Sequence, residues 1–93
     1  MFSNPKPNMV VSDEGYSVEV LGRTGIKYRE AGKSAFVDSE ILAAGHGIAV
    51  FKNSIKTWQS PHEGEKIAEE EKLRIVENIR KAIEFRKQPV EVL

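Results

Sequence analysis

No cysteine occurs in the chain, so disulfides and thiolate metal sites are closed to it. A domain of 93 residues buries a modest core and often needs covalent stapling outside the cell. The lack of cysteine therefore points to a cytoplasmic protein. Long apolar runs are also missing. No stretch approaches the roughly 18 apolar residues of a membrane-spanning helix, and Met1 to Asn8 holds no run of signal-peptide length. No membrane partner is expected.

An excess of either charge is absent too. Lysine plus arginine number 14, as do aspartate plus glutamate. Residues 1–60 carry seven basic and six acidic side chains; residues 61–93 carry seven and eight. A protein that binds duplex nucleic acid needs a basic face to displace counterions. The even balance argues against nucleic acid as the partner.

Catalytic signatures are equally scarce. His46 and His62 are the two histidines, 16 residues apart in glycine-flanked loops, without the short spacing of a metal site. There is no Gly-x-Ser-x-Gly elbow for a hydrolase. Gly22-Arg23-Thr24-Gly25 falls between two strand patterns, whereas a phosphate loop must open a helix. These absences predict a protein that is not an enzyme and takes no metal or cofactor.

What is present is strand, then helix. Residues 1–9, with Pro5 and Pro7, read as a flexible N-terminal tail; residues 10–93 read as a single domain. Tyr16-Ser17-Val18-Glu19-Val20 alternates with period two, as a half-buried strand does. Ile26-Lys27-Tyr28-Arg29-Glu30 alternates again, and Ala31-Gly32 turns it into a returning strand over Lys33–Asp38. The stretch from Ser39 to Gly47 fits a short helical turn or a strand extension. Ile48-Ala49-Val50-Phe51 is a short central strand, and Ile55 and Trp58 re-enter the core. From about Ala68 to Lys87 the period becomes helical: Ile75, Val76, Ile79, Ala82 and Ile83 make one stripe, extended by Leu73. Glu69, Glu70 and Glu71 suit the first turn and Arg86 and Lys87 the last. Glu70–Arg74, Glu77–Lys81 and Arg80–Glu84 are spaced for ion pairs. Val90-Glu91-Val92-Leu93 alternates and supplies a last strand. The expected fold is α+β, an antiparallel sheet of about four to five strands with one long C-terminal helix packed on one face.

Several runs of this chain resemble the immunity protein 74 family. Gly25 through Ser34 looks like its opening hairpin, and Asp38-Ser39-Glu40 with Leu42 like the segment that follows. Ser54-Ile55-Lys56-x-Trp58 with Pro61 is similar to its middle motif. Glu77-Asn78-Ile79-Arg80-x-Ala82-x-Glu84-Phe85 resembles its helix, and Val90-Glu91-Val92 its closing strand. The resemblance covers roughly residues 24–93. Gln59-Ser60 and Ala68 depart from the pattern, the latter costing the helix its usual N-cap side chain. The resemblance implies an immunity protein of a bacterial polymorphic-toxin or contact-dependent inhibition system. Such a protein binds and neutralises the C-terminal domain of a cognate toxin, often a nuclease, in the cytoplasm.

Clustered charge beside glycine turns marks the expected contact surface: Tyr28, Arg29, Glu30, Asp38 and Glu40, with the loop around His62 and Glu63. The alternative is a small regulatory module that binds nucleic acid or another protein through the Lys27, Arg29 and Lys33 hairpin. Val90–Leu93 or Met9–Val11 is the edge through which two copies would pair as a homodimer.

Overall fold

Residues that alternate between apolar and polar along a strand must send one set into a core and the other to solvent. The computed structural model, which describes residues 1–43 and 47–93, shows this pattern repeated across one curled sheet. Its strands are β1 (Phe2–Lys6), β2 (Met9–Ser12), β3 (Tyr16–Val20), β4 (Gly25–Glu30), β5 (Lys33–Ile41), β6 (Ile48–Val50) and β7 (Val90–Val92). They lie side by side in sequence order. All neighbours are antiparallel except β6 and β7, which run parallel. Helix α1 (Glu69–Phe85) lies between those two in sequence, because a parallel pair needs a crossover connection rather than a tight turn.

The α+β class holds, but the sheet has seven strands and is mixed, where four to five antiparallel ones were expected. The stretch read as a tail, residues 1–9, contains β1, paired to β2 through Phe2↔Ser12 and Ser3↔Val11. Only Phe2 of this strand packs partly against the core, so no period-two signal reveals it. Pro5 is tolerable because β1 is the edge strand. β2 is paired on both sides, which removes Met9–Val11 as a free edge.

The register assembles the inner face directly. Val10, Val18, Tyr28 and Ala35 form one row, and Val20, Ile26 and Val37 the next. Against them α1 buries Ile75, Val76, Ile79, Ala82 and Ile83, the stripe the period predicted. Each large side chain so buried contributes about 1.5–3 kcal/mol of transfer free energy. Leu73 is not part of the stripe; it is exposed. Beside the helix, Ile55, Trp58 and Ile67 close the core. Their segment also covers the half of β5 that β6 leaves unpaired: the Gln59 amide donates to the Ser34 carbonyl at 2.7 Å and the Asp38 amide to Ser54 Oγ at 2.9 Å.

The helix begins without a side-chain cap at Ala68, yet Glu71 Oε1 accepts the Ala68 amide at 3.1 Å, half of a capping box. Its acidic first turn is as expected, but there is no basic last turn. Arg86 is the C-cap and Lys87 follows with a left-handed φ of 63°. Of the three expected ion pairs only Arg80–Glu84 forms. Glu77 pairs with Arg80 instead of Lys81, and Arg74 leaves the helix for Glu30.

Candidate functional site

The expected contact residues fall on both sides of the sheet, because consecutive residues of a strand point oppositely. Tyr28 and Glu30 face α1. Tyr28 is fully buried, so it lies beneath the surface and not on it. Its hydroxyl donates to Glu30 Oε1 at 2.6 Å and accepts from Asn78 Nδ2 at 2.9 Å. Burial first, and then its hydrogen bond to the Glu30 carboxylate, push this phenol far above its ordinary pKa. Glu30 in turn receives the Arg74 guanidinium at both oxygens, 3.3 and 2.5 Å, which raises the pKa of Arg74. The group clamps strand β4 to the middle of α1, and Glu30 has little capacity left for another protein.

The second part, the loop around His62 and Glu63, is also anchored to the fold. His62 Nδ1 lies 3.0 Å from Glu65 Oε2, and Lys33 Nζ donates to Glu65 Oε1 at 2.6 Å. The Lys33 ammonium stands 5.7 Å from the ring centre of the buried Trp58, within range of a cation–π contact. The hydrogen bond from Lys33 holds the Glu65 carboxyl below its usual range, with His62 adding to the effect. Glu63 is exposed. Among the described residues no group of three or more histidine and carboxylate side chains is placed to hold a metal. His46 lies outside the described residues.

The basic trio of the hairpin is divided. Lys27 and Arg29 occupy the helix-free face, where Lys27 stands directly across from Glu19 and Arg29 bonds the same carboxylate at 3.2 Å. Lys33 is drawn to Glu65. No continuous basic patch results.

Arg29 shares the helix-free face but stands apart, opposite Ser34, while Asp38 and Glu40 come together with residues the sequence did not single out. Phe36 stands on this face with 42% of its surface exposed. Its ring lies over Gly25, where even a Cβ would come within 2.6 Å of the ring edge. A side chain at this position would have to push the ring aside. Asp38 and Glu40 follow at two-residue steps and so share the face of Phe36. Register then carries the row outward, Glu40 beside Ala49 and Ala49 beside Glu91. A hollow of about 520 Å³ lies between Arg23, Thr24, Phe36, Asp38, Glu40 and Phe51. Among the described residues, no cationic side chain pairs with Asp38, Glu40 or Glu91. The sequence carried a signal for Phe36: it precedes Asp38 and Glu40 with period two, which puts it on their polar face. The continuous apolar run Ala35-Phe36-Val37 concealed that alternation.

The lining of this hollow holds no histidine. It does offer an aromatic ring and unpaired carboxylates on an open sheet. Among the described residues no helix is long and apolar enough to cross a membrane. A protein-family model described as Immunity protein 74 matches residues 17–92, from β3 through β7. No curated protein and no solved structure matches the chain.

Proposed function

The chain belongs to the immunity protein 74 family, and we propose that it binds a cognate bacterial toxin domain through the helix-free face of its sheet and neutralises it by occlusion. The observation that carries this reading is the exposed Phe36 beside Asp38 and Glu40. Aromatic side chains dominate binding energy when a partner desolvates them. Carboxylates without a partner favour a basic counter-surface and speed the encounter with it. A basic surface is what a nuclease presents to its substrate, so a nuclease domain of a polymorphic-toxin or contact-inhibition system fits this face. Neutralisation in this reading takes place in the cytoplasm and needs no chemistry from the chain.

Arg29, Asp38 and Glu40 are the members of the expected surface that stand on this face; Glu63 is exposed on its own loop. Tyr28, Glu30 and His62 support that surface from within the fold. The competing reading, a module that binds nucleic acid through Lys27, Arg29 and Lys33, is weakened by the pairing of Arg29 with Glu19 and of Lys33 with Glu65.

The test is co-expression of the tagged chain with the toxin domain encoded immediately upstream of its gene. Joint elution and restored growth are the expected result. Growth arrest with no complex would overturn the reading.

A further inference from the structure

The far edge of the sheet is the open side of β7. The Pro89 carbonyl accepts from the Ile48 amide at 3.0 Å, the Leu93 amide donates to Val50 at 2.9 Å, and the Leu93 carbonyl accepts from Lys52 at 3.1 Å. Alternate residues of this strand therefore spend their amides and carbonyls on β6. Strand geometry turns those of Val90 and Val92 the other way. Among the described residues no element pairs with that side, since β7 ends the strand order. The edge is only three residues long and carries one charge, both of which limit pairing, yet it keeps main-chain groups to offer. No proline or bulge interrupts Val90–Val92, and the charge there, on Glu91, points along the sheet face and not inward.

Two kinds of strand could add here, and the register distinguishes them. A second copy pairing about a two-fold axis uses both outward-facing residues of each chain when Val90 is matched with Val92. That register sets Glu91 directly opposite the Glu91 of its copy, in the closer type of antiparallel pair. Like charges placed there destabilise the pairing. Glu91 also continues the row begun by Glu40 across Ala49, so a self-paired sheet would bring four carboxylates onto one row. A strand with lysine or arginine opposite Glu91 would instead extend the row with an attractive pair.

We infer that the cognate toxin domain adds an extended strand to the β7 edge, with a basic residue opposite Glu91. The main chain of Val90 and Val92 supplies the hydrogen bonds, as in strand addition to other open sheets. This rests on the immunity reading and specifies how the partner is held.

The test uses the full chain, alone and in complex with the toxin domain that co-purifies with it. Residue-resolved amide exchange should show Val90 and Val92 exchanging freely in the chain alone and at least about tenfold slower in the complex. Val92→Pro deletes an outward amide that the sheet does not use. It should weaken the complex about tenfold or more while the free chain keeps its melting temperature within a few degrees. Glu91→Lys, an exposed change that leaves the main chain intact, should weaken binding as much and serves if the proline variant fails to fold. A stable complex in which the Val90 and Val92 amides exchange as fast as before, or in which Glu91→Lys binds normally, overturns the strand addition and leaves the immunity reading standing. A toxin-free dimer with both amides slowed would assign the edge to a second copy and overturn it as well. Absence of any complex removes both readings.

Discussion

The hydroxyl of Tyr28 reaches Glu30 Oε1 at 2.6 Å while both side chains stand on the same face of β4, two residues apart. Asn78 donates to the same hydroxyl from α1, so one buried oxygen joins strand, helix and the Arg74–Glu30 ion pair. Tyr28→Phe removes it and leaves the Asn78 amide without that acceptor. We expect a loss of about 1–3 kcal/mol in denaturant unfolding. The pH dependence is set by the raised phenol pKa. A group whose pKa is higher folded than unfolded contributes stability that is complete below the unfolded value, near 10, and is lost as pH rises above it. Wild type should therefore lose stability from about pH 10 upward, by up to about 1.4 kcal/mol per pH unit for one proton. Tyr28→Phe should make that limb shallower, leaving the part that Tyr16, its pKa also raised by burial, contributes, and an unchanged limb would show that Tyr28 does not govern it.

Phe36→Ala should leave the fold nearly as stable as before, since the ring is half in solvent. Affinity for the toxin domain should fall by about 2 kcal/mol or more if the ring is an anchor. Gly25→Ala tests the same ring from below: the new methyl must displace it, so affinity should drop with little change in melting temperature. Calorimetric titration and thermal unfolding of both variants separate the two effects. Normal affinity in both would clear this face of the role.

Asp38→Lys together with Glu40→Lys should slow association with a basic toxin surface and reduce its dependence on salt, because rim charges act mainly on the encounter rate. Stopped-flow association at two ionic strengths reads this out. An association rate indifferent to both the substitutions and the salt would refute the electrostatic part of the proposal.

Ala31 occupies a left-handed conformation, φ 51°, ahead of Gly32 at φ 78°. A two-residue hairpin with both φ angles positive favours Asn-Gly. Ala31→Asn should stabilise the chain by roughly 0.5–1 kcal/mol, relieving part of the cost of a non-glycine residue there. A lowered melting temperature would contradict that account of the turn.

Glu65→Gln weakens the bonds from Lys33 and His62 that secure the Trp58 loop. The Glu65 pKa is lowered in the fold, so its contribution is present above the unfolded value of 4.5 and is lost as pH falls through the folded one. Tryptophan emission reports on the loop directly, since Trp58 is the single tryptophan and is buried. Acidification below about pH 4.5 should shift it in wild type more than in Glu65→Gln, which already lacks the charge. Equal shifts would show that this ion pair does not hold the ring.

The five-residue stripe of α1 is legible in the sequence because its signal belongs to a single element. The alternation from Tyr16 to Val20 marks a strand, but Ser17 on its polar side is buried as well. β1 went unseen because it buries little more than Phe2, and its pairing depends on β2. Alternation turns Tyr28 inward while the charge clustered beside the glycine turn draws it into the expected contact surface; the alternation wins, and its hydroxyl is satisfied inside by Glu30 and Asn78, the latter 50 residues away. Lys33 was grouped with Lys27 and Arg29 by proximity in sequence, while Glu65, 32 residues on, claims it. The open face was half legible. Asp38 and Glu40 show their period, but Glu91 joins them only through the parallel pairing of β6 with β7.

That pairing also sets an order of events during synthesis. β1 to β5 meet through neighbouring hairpins and need only residues already made. β6 lies early in the chain and its parallel neighbour comes after the whole of α1. The bridge between Val50 and Val92 therefore forms only after α1 has been made. A fragment that stops short of β7 lacks Glu91 and cannot display the row that runs from Glu40.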